Sequence, residues 1–202
     1  MKVIKIEQNS PEWFELRKAK ITGSKKVRPK RGNARLDGFY ELIADRLEMA
    51  KEDLSASEQG HDLEPKAIEH FENLTGKKVD TGMMWISDDN ESIAISPDGG
   101  IKVGGKYREA VEVKCLAGKN HIRAVEEEKI PSDYDDQRLQ YFVVNPDLET
   151  LYFIFYDPYI LSRPMYIFEI NREDVAGEVE AYLDYQLDLL EEVNEIVEKW
   201  AF

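Results

Sequence analysis

The period of the hydrophobic pattern switches repeatedly along this chain, and that switching constrains the fold more than any other feature. Around residues 10–17, 38–51 and 64–74, apolar side chains recur at three- and four-residue steps, the spacing that lines one face of a helix. The middle switches to period two: Ser92-Ile93-Ala94-Ile95-Ser96 and Ala110-Val111-Glu112-Val113-Lys114 alternate as strands do. Two further strands are expected at Leu151–Tyr156 and Met165–Ile170, after a helical stretch around Asp133–Val144. From Asn171 to Trp200 the helical period returns, with Val175, Val179, Tyr182, Leu183, Leu187, Leu190, Val193, Val197 and Trp200 on one face and acids on the other. With Lys2–Ile6 as a short N-terminal strand, the pattern predicts an α/β domain. Its centre is a mixed sheet of about five strands, flanked by helices.

Local signals place the boundaries. Ser10-Pro11-Glu12 is a helix start, with Ser as N-cap, Pro in the first turn and an acid beside the N-terminus. Trp13, Leu16 and Phe14 are expected to bury from that helix. The second helix, Gly38 to Lys51, has Phe39, Leu42, Ile43, Leu47 and Met49 as its apolar face. The third, Glu64 to Leu74, turns Ala67, Ile68 and Phe71 inward and stops at Gly76. Pro97-Asp98-Gly99-Gly100 and Gly104-Gly105 have the composition of turns. Whether Pro65 starts the third helix or kinks it stays open at this level.

Composition removes several classes. Apolar residues make up 42% of the 202, enough for a sizeable core and against a wholly disordered chain. A single cysteine, Cys115, rules out an internal disulfide. No apolar run reaches the ~20 residues of a membrane helix, and the alternating N-terminus lacks the apolar core of a signal peptide. A soluble, cytoplasmic protein with no membrane partner is expected. Net charge is −14, from 27 basic and 41 acidic residues, which by itself argues against nucleic acid. The charge is uneven, however. From Arg17 to Arg35 lie nine basic residues and no acid, interrupted by Gly23, Pro29 and Gly32. The stretch over residues 17–35 is either a solvated basic loop or a local phosphate-binding arm on an acidic body. Within a Debye length of ~8–10 Å the local sign decides.

Asp98, Glu112 and Lys114 carry the candidate chemistry. On a strand, residues i and i+2 share a face, so Glu112 and Lys114 point the same way and Val113 the other. Asp98, at the mouth of the following hairpin, can approach Glu112. Two carboxylates and a backbone carbonyl such as that of Val113 are hard oxygen donors suited to Mg2+, and a lysine beside them can orient water and stabilise negative charge. A plain salt bridge between Glu112 and Lys114 explains that pair equally well.

Ser96-Pro97-Asp98-Gly99 followed by Val111-Glu112-Val113-Lys114-Cys115 resembles the core of the PD-(D/E)xK nuclease superfamily. More narrowly it is similar to the lambda exonuclease and YqaJ-like viral recombinase family. Trp13-Phe14-Glu15-Leu16-Arg17 and Ile21-Thr22-Gly23-Ser24 resemble that family's N-terminal segment, with Gly23 where alanine is usual. Gly60 with Glu64, Tyr134-x-x-Gln137 and Tyr156-Asp157-Pro158 match in order further along. The resemblance implies a single nuclease domain over residues 1–202, with Asp98 and Glu112 holding metal together with the Val113 carbonyl. It implies Glu64 as an additional ligand and Lys114 positioning the nucleophilic water. Arg17 would grip a DNA 5′-phosphate with Ser24 and Ser96, and Gln137 would add a polar contact. The family often has a second glutamine two positions after Gln137, where this chain has Leu139 and then Gln140, so no role follows for Gln140.

The activity so implied is a Mg2+-dependent, or Mn2+-dependent, 5′-to-3′ exonuclease on linear double-stranded DNA. It would leave 3′ single-stranded overhangs for a single-strand annealing protein in phage-type recombination. A ring-shaped homotrimer, phage- or prophage-encoded and working in the host cytoplasm, is implied by the same likeness. The rivals are another PD-(D/E)xK endonuclease and a non-catalytic acidic DNA mimic. Cys115 is expected as a packed thiol, and Tyr152, Phe153, Phe155 and Tyr156 as core. His61, His70 and His121 share no ligand spacing. The acidic C-terminal helix, residues 171–200, is expected to be a solvated face or a docking surface.

Overall fold

The computed structural model describes residues 1–29, 36–46, 63–116 and 118–201. Lys30, Arg31, Gly32, Arg35, Leu47, Met49, Gly60 and His61 lie outside the described residues. In chain order the elements are β1 (Lys2–Lys5), α1 (Pro11–Arg17), α2 (Asp37–Arg46), α3 (Glu64–Thr75), β2 (Met83–Ile86), β3 (Ala94–Ile95), β4 (Gly99–Val103) and β5 (Lys106–Cys115). Then follow α4 (Gly118–Glu126), a 3₁₀ turn at Ser132–Tyr134, α5 (Asp135–Val144), β6 (Thr150–Tyr156), β7 (Met165–Asn171) and α6 (Arg172–Trp200).

The α/β class holds, but the strands divide into two sheets. β4-β5-β6-β7 form a four-stranded mixed sheet, antiparallel at both edges and parallel between β5 and β6. β1-β2-β3 form a separate antiparallel sheet, so the N-terminal strand does not join the central one. The parallel pair needs a crossover connection, supplied by α4, the 3₁₀ turn and α5. One face of the larger sheet, with Val111, Val113, Tyr152 and Ile154, packs under Ala67, Ile68 and Phe71 of α3. The opposite face, with Ala110, Leu151, Phe153 and Phe155, packs under α5 and α6. β5 is therefore buried on both sides at residues 110–113, which puts Glu112 in the interior.

Several boundaries follow the local signals. The Ser10 side chain accepts the Trp13 amide at the start of α1. Pro65 sits in the first turn of α3, so it starts that helix, and Gly76 closes it with φ +72°. Gly104 and Gly105, at φ +60° and +84°, form the two-residue β4–β5 turn, the geometry whose twist suits a hairpin. α1 buries no residue, however, and Phe14 is exposed. A seven-residue helix at the surface has no second layer above it. In α6, Leu187 and Trp200 are exposed while Gln186 and Leu189 are buried. No helix among the described residues is long and apolar enough to cross a membrane.

Candidate active site

The C-terminal half of β5, the residue before β4, the N-terminus of α3, the first turn of α5 and the segment after α1 meet at one cleft of about 380 Å³. All nine residues singled out in the sequence line it: Arg17, Ser24, Glu64, Ser96, Asp98, Glu112, Val113, Lys114 and Gln137. Gln8, Trp13, Gly23, Ile95 and Cys115 complete the lining.

Glu112 is the most enclosed of these, 1% exposed. A buried carboxylate is tolerated only when its charge and lone pairs are answered, and here each oxygen is. Gln137 Nε2 donates to Oε1 at 2.5 Å and Lys114 Nζ approaches the same oxygen at 2.6 Å. The hydroxyl of Tyr141 donates to Oε2. The shared strand face expected for Glu112 and Lys114 is thus realised as a contact. Lys114 Nζ also lies 5.2 Å from the centroid of the Tyr134 ring. Burial would lower the Lys114 ammonium, but Glu112 and Asp98 outweigh it and hold the group above its ordinary value. Lys114 is therefore a cation here, a donor and not a base.

Asp98 directly precedes β4 rather than sitting in a turn. Its Oδ2 accepts the Val113 amide at 2.8 Å, while Oδ1 receives no hydrogen bond from the described residues. Burial, then the charges of Glu112 and Glu64, push Asp98 well above the usual carboxylate range. The same burial with Glu64 and Asp98 pushes the Cys115 thiol up to about 11, so it stays protonated at neutral pH. Among the described residues, no three His, Cys, Asp or Glu side chains stand gathered as a ligand cluster. The donors nevertheless suit a hard divalent cation. Asp98 offers a bare oxygen, and its repulsion with Glu112 and Glu64 is what such a cation relieves.

On the other wall, Arg17 at the end of α1 spreads its guanidinium over three hydroxyls: Ser96 Oγ at 3.2 Å, Thr22 Oγ1 at 3.1 Å and Ser24 Oγ at 2.6 Å. It stacks 4.2 Å from the Trp13 ring centroid. The Trp13 indole donates to Ser96 Oγ at 2.9 Å. Ser96 Oγ thus accepts twice and keeps its own proton free for an incoming oxygen. Burial pushes Arg17 down to about 10, opposed by Glu112, which still leaves it charged at neutral pH.

A buried clamp holds this wall in place. Gln140 Nε2 donates to the carbonyls of Ile21 and Ala94, at 3.2 and 3.0 Å, and its Oε1 accepts from Gln186 of α6 at 2.8 Å. Gln140 therefore works from α5 into the backbone that presents Thr22 and Ser96, not into the cleft. The rest of the basic stretch is less available than its composition suggested. Lys25 pairs with Asp45 and Glu41, Arg28 pairs with Asp136, and Lys20 donates to the Glu91 carbonyl. Arg17 is the described member of that stretch that lines the cleft. Sequence reasoning missed Tyr141 and the role of Thr22. Tyr141 lies four residues after Gln137, on the same helix face, and that spacing was the available signal.

No curated protein matches the chain. Among solved structures, it is similar to an alkaline exonuclease, LHK-Exo, from Laribacter hongkongensis, with TM-score 0.79 and 24% identity over 95% of this chain and 98% of that one. The same protein in complex with dAMP gives a TM-score of 0.77 at 24% identity, with the same coverage of both chains. A phage-related exonuclease from Haemophilus somnus 129PT gives 0.55 at 14% identity, over 90% of this chain and 96% of that one. These likenesses establish the fold. A family model, the YqaJ-like viral recombinase domain, matches residues 12–145, a span that holds α1 from its second residue, both walls of the cleft and all of α5, and the chain belongs to that family.

Proposed function

We propose that this protein is a Mg2+-dependent exonuclease that degrades one strand of linear double-stranded DNA from a phosphorylated 5′ end, in the 5′-to-3′ direction. The 3′ overhangs so made would feed a single-strand annealing protein in recombination, in the host cytoplasm. One observation carries the reading: a cationic pocket rimmed by hydroxyls and a carboxylate–lysine set share a single cleft.

Arg17 holds the terminal phosphate, because its planar fork matches phosphate oxygens and stacking on Trp13 keeps the fork oriented. Ser24, Ser96 and Thr22 supply hydroxyls around it. Asp98, Glu112 and the Val113 carbonyl, with Glu64 alongside, are the residues that would hold Mg2+, with Mn2+ as a substitute. When bound, the cation would polarise the phosphoryl oxygen and acidify water. Lys114, held protonated, donates to the attacking water or to the phosphoryl oxygen as charge builds on it. Gln137 keeps Glu112 in register. The water oxygen bonds to phosphorus as the P–O3′ bond breaks, the water giving up one proton and the departing O3′ taking one, so a 5′-mononucleotide with a free 3′-hydroxyl leaves. The shortened strand again ends in a 5′-phosphate, the group Arg17 is built to accept.

The test is digestion of linear duplex with a 5′-phosphate, linear duplex with a 5′-hydroxyl, and closed circular DNA, with Mg2+ or EDTA. Loss of the phosphorylated linear substrate alone, abolished by Lys114→Ala, is expected. Cleavage of closed circles would make the protein an endonuclease of the same fold. No loss of any substrate, with EDTA indifferent, would turn the reading to a non-catalytic binding protein.

A further inference from the structure

The two oxygens of Glu112 live in different surroundings. Oε1 faces the cleft, where Gln137 and Lys114 reach it. Oε2 faces the core, where the Tyr141 hydroxyl donates to it. Tyr141 is fully buried. Its hydroxyl also lies 3.3 Å from the Val111 carbonyl, on the strand that carries Glu112, and its ring packs edge-on against Trp85. Gln137 and Tyr141 are one turn apart on α5 and take opposite ends of one carboxylate. Only the Gln137 end opens to the cleft, so a ligand can displace that contact and not the other.

We propose that Tyr141 is a positioning residue that sets which divalent cation the cleft accepts: by keeping Oε2 in the core, it leaves Glu112 a one-oxygen donor. This rests on the reading that Glu112 holds the metal. Mg2+ is small, demands near-ideal octahedral geometry and keeps several waters, and single carboxylate oxygens suit it. Ca2+ takes six to eight oxygens and commonly grips a carboxylate by both. A Glu112 that cannot turn its second oxygen to the cleft favours the first ion over the second.

Tyr141→Phe removes the hydroxyl and keeps the ring. Mg2+ and Ca2+ are titrated calorimetrically into the wild type, Tyr141→Phe and Asp98→Ala, with circular dichroism confirming that each is folded. The preference of the wild type for Mg2+ over Ca2+ is expected to fall in Tyr141→Phe by about ten-fold, the lower end of what loss of a ligand's supporting hydrogen bond costs. An equal change for both ions, or none, overturns the proposal and leaves the metal reading standing. Absence of any Asp98-dependent Mg2+ binding in the wild type overturns the metal reading and this proposal with it. A crystal structure of the wild-type protein with Mn2+ tests the point without a variant. Glu112 is expected to meet the ion through one oxygen with Oε2 still on Tyr141, and a two-oxygen grip refutes the assignment.

Discussion

Asp98 enters the cleft with one oxygen bonded to the Val113 amide and the other receiving no hydrogen bond from the described residues, beside Glu112 and Glu64. Because its folded-state pKa is raised, the unfolded chain gives up this proton first. The contribution of Asp98 to stability is therefore full below the ordinary carboxylate pKa of ~3.9 and is lost as pH climbs from there through its raised value. Asp98→Asn keeps an acceptor for the Val113 amide and removes the charge. In EDTA at pH 8 it is expected to melt higher than the wild type, by a few degrees, given ~2–4 °C per kcal/mol for a chain of this size. The gap should close near pH 4. Melting temperatures that run parallel from pH 4 to pH 8 would show that Asp98 carries no such strain. The same residue shows what the sequence makes legible. Strand periodicity puts Glu112 beside Lys114, and motif order brings Arg17, Ser24, Ser96 and Gln137 to them. The partner of Glu112 Oε2 was not legible, because a tyrosine opening the apolar run Tyr141–Val144 looks like any core aromatic until the helix is docked.

At the scale of elements, the largest gap between pattern and fold is β4. Gly99-Gly100 resembles a turn, yet both lie in a strand pressed between neighbours. A Cβ on Gly99 would sit 2.2 Å from Val79 Cγ1, and one on Gly100 would meet Tyr107 at 2.8 Å and Trp85 at 2.9 Å. Glycine is used here for close approach, not for positive φ. Gly99→Ala is expected to destabilise by about 1–3 kcal/mol, the cost of overpacking, read as a lower urea midpoint. Trimming the obstruction in Gly99→Ala/Val79→Ala should recover most of that loss, since the Val111 Cβ at 3.4 Å and the Val79 Cβ at 3.7 Å are ordinary van der Waals contacts. A double variant no more stable than Gly99→Ala would mean that the contact is not the cause. β2 was hidden for a related reason: Met83-Met84-Trp85-Ile86 is buried at every position, and a strand covered on both faces shows no alternation. Helices that start with a cap and end in glycine were legible because those signals are local. α4 was not, having no acid in its first turn.

For the whole molecule, the open question is how a body of net charge −14 keeps hold of a polyanion. Many of its described cations are paired with its own acids, among them Lys25 with Asp45, Arg28 with Asp136, Lys77 with Glu109, Lys102 with Asp80, Lys106 with Asp147 and Arg138 with Glu178. A duplex held by six to ten phosphate contacts would lose about 10³–10⁵ in affinity between 50 and 200 mM salt. Enclosure is the alternative to attraction, and it is the solution implied by resemblance to ring-shaped exonucleases: three copies around the duplex, retaining it by topology while Arg17 engages only the end. An acidic exterior then costs nothing in retention and suppresses binding to duplex interiors. Sedimentation velocity is accordingly expected to report a homotrimer. On phosphorylated linear DNA, raising salt from 50 to 200 mM should slow loading while leaving the number of nucleotides removed per binding event nearly unchanged. A monomeric species, or run lengths that collapse with salt as steeply as loading does, would mean that the duplex is held by direct contacts to the cations of an acidic body.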